Sequence, residues 1–146
     1  MQDLQAVKTV AVASPGPIVD DAAFTTNTVD TKGFKKARFV VMLGALDIAV
    51  AAFKLQESDD SGMSGATDVS GADFSVSPLT LPAATDDNKL YGIFVDLRGR
   101  KRYLDVSLTG GNGSTGTYAA AWCDLYDAYE MPNSASERGM SQEAKV

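Results

Sequence analysis

Residues 98–104 read RGRKRYL, and four of the seven are cationic: Arg98, Arg100, Lys101 and Arg102. Guanidinium groups at this density match carboxylates or phosphates through paired N–H donors. The surrounding chain is acidic, with a net charge of −6. A nucleic-acid surface calls for a net basic domain with aromatics between the cations. Here Tyr103 is the one aromatic in the run, so nucleic acid is not the expected partner. Carboxylates on a protein surface, in the same chain or another, fit better, and a solvated turn is the bland alternative. A second basic group, Lys32, Lys35, Lys36 and Arg38, opens the first long apolar segment.

Other residues able to do chemistry are few. The chain has no histidine and one cysteine. That removes disulfide frameworks, His/Cys metal sites and the commonest general base. Cys123 has no neighbouring histidine to lower its pKa, so we read it as a small buried side chain. GGNGSTGT at 110–117 has glycines but no lysine before its Ser or Thr, so it reads as a hairpin loop and not a phosphate loop. From Glu57 to Asp87 there are seven acidic residues and no Lys or Arg. The spacing matches no calcium loop, and a solvated acidic segment is expected. We therefore expect no cofactor, no metal and no enzymatic activity. No apolar run is long enough to span a bilayer as a helix, so no membrane partner is expected, and the first residues lack the pattern of an export signal.

The segments that must position these residues alternate with period two, the mark of strands. Strands are predicted over 36–45, 48–56, 89–97, 102–109 and 117–127. The first two are joined by a turn-like GALD and read as a hairpin. In the last, Ala119, Ala121, Cys123 and Leu125 share one face, while Tyr118, Trp122 and Tyr126 share the other. Aromatics opposite a presumed core point to a subunit interface. The predicted class is all-β: an antiparallel β-sandwich or jelly-roll-like barrel with an extended N-terminal arm. The arm covers 1–30, with one or two strands partly docked, and is expected to order on a neighbouring subunit or on the surface of another partner. The domain covers 31–132, and a polar tail covers 133–146.

Taken in order, FKLQESDDS, TDVSGADF, GIFVDLRGRKRYLDVSLTGG and YAAAWCDLYDAYEMP resemble a group of small virion proteins of tailed bacteriophages, over about residues 34–132. These are capsid decoration, or cement, proteins. The resemblance implies a sandwich or jelly-roll subunit on the capsid exterior of the virion, present in host cytoplasm during assembly. Its implied partners are the major capsid protein and itself, as a homotrimer. Arg98, Arg100, Lys101, Arg102, Tyr118, Trp122 and Tyr126 are the expected capsid or subunit contacts from the residues themselves. The alternatives are a head–tail connector or tail subunit, a binding module for host surface carbohydrate, and a carboxylate hydrolase.

Overall fold

A computed structural model describes residues 5–16 and 19–144. Residues 1–4, 17 and 18 of the expected arm, and 145 and 146 of the tail, lie outside it. The described residues contain nine strands: β1 Lys8–Ala13, β2 Ala23–Thr25, β3 Val29–Asp30, β4 Phe34–Leu43, β5 Ala52–Ser58, β6 Thr67–Asp73, β7 Leu90–Asp96, β8 Tyr103–Thr109 and β9 Ala119–Ala128. One antiparallel sheet has the order β1-β9-β4-β7. The other has the order β2-β8-β5-β6, with β3 also on β8. Two four-strand paths interleaved this way are the two-Greek-key order of a jelly roll.

The alternation seen in the sequence decides which face each strand buries. Ala37, Phe39, Val41 and Leu43 of β4, Phe53 and Leu55 of β5, and Leu104, Val106 and Leu108 of β8 fill the space between the sheets. The small side chains of β9, Ala119, Ala121 and Cys123, with Leu125, face the same core. Fully burying each Leu, Val or Phe contributes about 1.5–3 kcal/mol before ordering costs.

The expected hairpin between the first two long strands is not formed. β4 pairs with β7 and β9, whereas β5 pairs with β6 and β8, so residues 44–51 cross from one sheet to the other. Leu46 and Val50 of the crossing are buried. Its backbone is held elsewhere: Leu46 N donates to Asp87 Oδ1, and Val50 N to the Pro82 carbonyl. The glycine loop between β8 and β9 is likewise a crossover and not a hairpin. Among the named strands, only β5 and β6 are consecutive and paired.

The N-terminal segment is extended, but its strands belong to the sandwich. β1 pairs with β9 from Lys8 to Ala13, and Val12 is buried. β2 and β3 pair with β8. Strands β1, β2 and β3 therefore order on their own domain, and the boundary expected at residue 30 falls inside the jelly roll. The polar tail is anchored without an apolar pattern. Arg138 is buried, donates to the Pro132 carbonyl and pairs with Glu143, while its own carbonyl accepts from Thr9 N of β1.

Candidate functional site

The RGRKRYL run is the connection from β7 to β8 at one end of the sandwich. Arg100 N donates to the Leu97 carbonyl at 3.1 Å, closing a tight turn. Gly99 sits at φ 76°, the left-handed conformation that a type II turn needs at its third position. Each cation then finds a partner in the same chain. Arg98 grips Asp96 two residues back, with Nη2–Oδ2 at 2.5 Å. Arg100 meets Glu57 at the end of β5 at 3.4 Å, and Lys101 N donates to the same carboxylate. Arg102 forks onto Asp30 of β3 at 2.8 and 2.6 Å and lies 5.0 Å from the Tyr103 ring centroid. Lys101 Nζ reaches Thr67 Oγ1. The Arg98 hydrogen bonds hold the Asp96 carboxyl down to about 2, and the Arg102 hydrogen bond lowers Asp30 against a smaller effect of burial.

The patch is thus a polar staple joining the turn to β3 and β5. Its Arg102–Asp30 pair is open to solvent on both sides. An exposed pair of this kind contributes little to stability. Arg102→Ala should leave the urea midpoint almost unchanged, with a smaller effect still at high salt. A large drop in the midpoint would mean the staple sets the path of the turn.

Three cations of the second basic group, Lys35, Lys36 and Arg38, also meet carboxylates. Lys35 and Lys36 approach Asp127, at 3.6 and 3.9 Å. Arg38 of β4 forks onto Asp124 of β9, with Nη2–Oδ2 at 2.6 Å, and Thr9 of β1 donates to the other oxygen at 2.7 Å. Asp124 is buried. This polar row crosses three strands, and the Asp124 hydrogen bond raises the Arg38 pKa.

The remaining candidates are consumed by structure. In the glycine loop, the backbone N–H groups of Ser114 and Thr115 both donate to Asp47 Oδ2, so the chain's own carboxylate fills the place an anion would take. Those bonds lower the Asp47 pKa. Gly111 packs so closely that a Cβ there would lie 2.2 Å from the Ala49 carbonyl oxygen. In the acidic segment, Asp60 accepts from Gly62 N and Ser64 N, Asp68 from Lys54 and Gln56, and Asp73 from Ser75. Among the described residues, no three His, Cys, Asp or Glu side chains gather to hold a metal. Cys123 is fully buried, and burial with the nearby Asp124 charge pushes its thiol up to about 12, far from a reactive thiolate.

What remains open is apolar. On the outer face of the first sheet, Ala11, Trp122, Val40 and Gly92 form one row across β1, β9, β4 and β7. Ala120, Met42 and Leu90 form the next. Of the three expected aromatics, Tyr118 is exposed, while Trp122 and Tyr126 are half-buried. The largest exposure is on β7, at Leu90 (60%) and Phe94 (78%). Sequence reasoning did not single these two out. The signal was there: Leu90, Gly92 and Phe94 alternate with the core-facing Tyr91, Ile93 and Val95, so both faces of that strand lack charge. A groove of about 300 Å³ runs along the open side of the sandwich between β6 and β7, with Val69, Phe74, Leu79 and Ile93 in its walls.

Comparison with protein families and with curated proteins found no match.

Proposed function

We propose that this chain is a structural virion protein that binds the outside of a tailed-phage head and stabilises the shell. The observation that carries the reading is the outer face of the β1-β9-β4-β7 sheet. A solitary sandwich normally solvates its outer faces with polar side chains. Here Met42, Leu90, Phe94 and Tyr118 stand exposed on or beside one face. The opposite sheet, by contrast, presents Lys54, Gln56, Asp68 and Ser107 on its outside. One face is polar, and the other sets an apolar patch at Met42, Leu90, Phe94 and Tyr118 beside the Thr9–Asp124–Arg38 row, which suits a subunit that lies on a larger surface. The resemblance of residues 34–132 to decoration proteins points the same way, and a jelly roll is a fold that virion proteins use among many others.

Mass spectrometry of virions produced from the genome that encodes the chain should find it in many copies. Purified chain should cosediment with heads lacking it and raise their rupture temperature. Met42→Lys with Tyr118→Lys should abolish that binding while the jelly roll stays folded, because both side chains are exposed. Absence of the chain from virions would overturn the reading.

A further inference from the structure

A sheet edge offers unpaired N–H and C=O groups that pair with any extended strand, and folded proteins block their edges accordingly. Three of the four edges here carry such a device. Thr9 N on β1 donates to the Arg138 carbonyl of the tail, and the Val12 carbonyl accepts from Asn27 N. β2 and β3 are three and two residues long. β6 is broken by a register shift, with Gly71 at φ 82°. β7 has none of these. It runs through seven consecutive pairs with β4 without a shift, and has no charge or proline between Lys89 and Asp96.

Hydrogen-bond parity shows what this edge presents. Leu97 N donates to the Lys35 carbonyl, and Leu43 N to the Lys89 carbonyl, at the two ends of the β4–β7 ladder. With period two, Tyr91, Ile93 and Val95 direct their backbone groups to β4. Leu90, Gly92 and Phe94 direct theirs to the open side. These residues also carry the most exposed apolar side chains of the sheet.

We propose that the free edge of β7 pairs antiparallel with β7 of a second copy, about a twofold axis centred on Gly92. The strand is self-complementary in that register. Gly92 faces Gly92 of the second copy, and Leu90 faces Phe94 on both sides of the axis, so two apolar cross-strand pairs form at once. A slip of two residues would place Asp96 opposite Leu90 instead. At Gly92 a Cβ would meet only Phe94 Cε2 at 3.7 Å and the Phe39 carbonyl oxygen at 3.9 Å, so the outer face is uncrowded above the centre of the pairing. The result joins two four-stranded sheets into one of eight and brings the exposed Leu90 and Phe94 side chains of the two copies together. The contact is isologous and closes on itself. It does not depend on the virion reading. A single strand pair is a small interface, so the dimer belongs to the micromolar range.

Sedimentation of the full chain between roughly 1 and 200 µM, spanning a micromolar Kd, tests this. The expected result is a monomer–dimer equilibrium. The Gly92 and Phe94 amides should gain protection from hydrogen exchange as the dimer fills. Phe94→Lys should weaken the dimer at least tenfold, and Leu90→Lys likewise, while Tyr118→Lys associates as the parent does. A monomer throughout that range overturns the proposal. So does a trimer, or a dimer lost with Tyr118→Lys but kept with Phe94→Lys. Exchange at Gly92 and Phe94 that does not change as a dimer forms overturns it too.

Discussion

Replacing Phe53 by alanine should cost about 3–5 kcal/mol of stability, the range for deleting a buried aromatic ring. Phe53 is fully buried in β5, between β8 and β6. Its ring stacks on Phe74 with centroids 4.1 Å apart and planes 8° from parallel. The edge of Tyr91 meets it from the other sheet at 5.8 Å and 86°. Tyr91 and Phe74 are themselves edge to face at 6.1 Å. Three rings thus tie β5 and the segment after β6 to β7, across the side where the sandwich is open. Phe74 N also donates to the Phe53 carbonyl, which limits how far the backbone can close over a vacancy. Against a total of about 5–15 kcal/mol for a domain, this loss is large. Urea unfolding should show a lower midpoint with an unchanged slope. A loss under about 1 kcal/mol would mean that the cluster collapses around the gap.

Asp105→Asn should act in the opposite direction and stabilise the protein at neutral pH, because it removes a buried charge while keeping the shape of the side chain. Asp105 lies on the polar side of β8 but is only 3% exposed. Its Oδ1 has no hydrogen-bond partner among the described residues. The cross-strand neighbour, Gln56, directs its Nε2 to Asp68 instead. Burial raises the Asp105 pKa above its ordinary 3.8. A carboxyl whose pKa is higher folded than unfolded binds its proton more tightly in the native state. Stability from this group therefore rises as pH falls through the raised value towards 3.8. The other shifted carboxylates have the reverse sign. Asp30, Asp47, Asp68, Asp73, Asp86 and Asp96 are lowered by hydrogen bonds, so their contribution is present above 3.8 and disappears as pH falls, down to about 2 for Asp96. The parent should thus be most stable on the mildly acidic side of neutrality and unfold below it. Asp105→Asn should lose the acid-side gain and keep the low-pH loss. A parent curve that is flat between neutrality and mild acid, with no gain from the substitution, would show that solvent reaches this carboxylate.

How much of this was legible in the chain differs by level. Each of the five segments predicted from alternation is a strand within a few residues, because a period of two is a local property of the backbone. The faces were legible for the same reason. Ala119, Ala121, Cys123 and Leu125 point inward and Tyr118 outward because successive residues on a strand point opposite ways. The short strands β2 and β3 carried little signal, with five residues between them. β1 alternated only weakly. The tail gave no apolar period because Arg138 anchors it through an ion pair and two hydrogen bonds.

Partnership was decided by the tertiary structure. Turn-like residues such as GALD and GRK mark where the chain bends but not which sheet it enters next. In a jelly roll almost every bend is a crossover, so neighbours in sequence are rarely neighbours in a sheet. The same limit applied to charge. RGRKRYL showed four cations wanting carboxylates, but neither the identity of those carboxylates nor their chain of origin could be read from it. Asp30 reaches Arg102 from 72 positions away, and Glu57 reaches Arg100 from 43, because β3 and β5 end beside the turn only once both sheets are assembled. Strands, their buried faces and the lack of a histidine-based active site were readable from the chain alone, since these follow from residue type and local period. Which strands pair, which charges cancel and which edge stays bare depend on contacts between residues far apart in the chain, and only the packed sandwich brings those together.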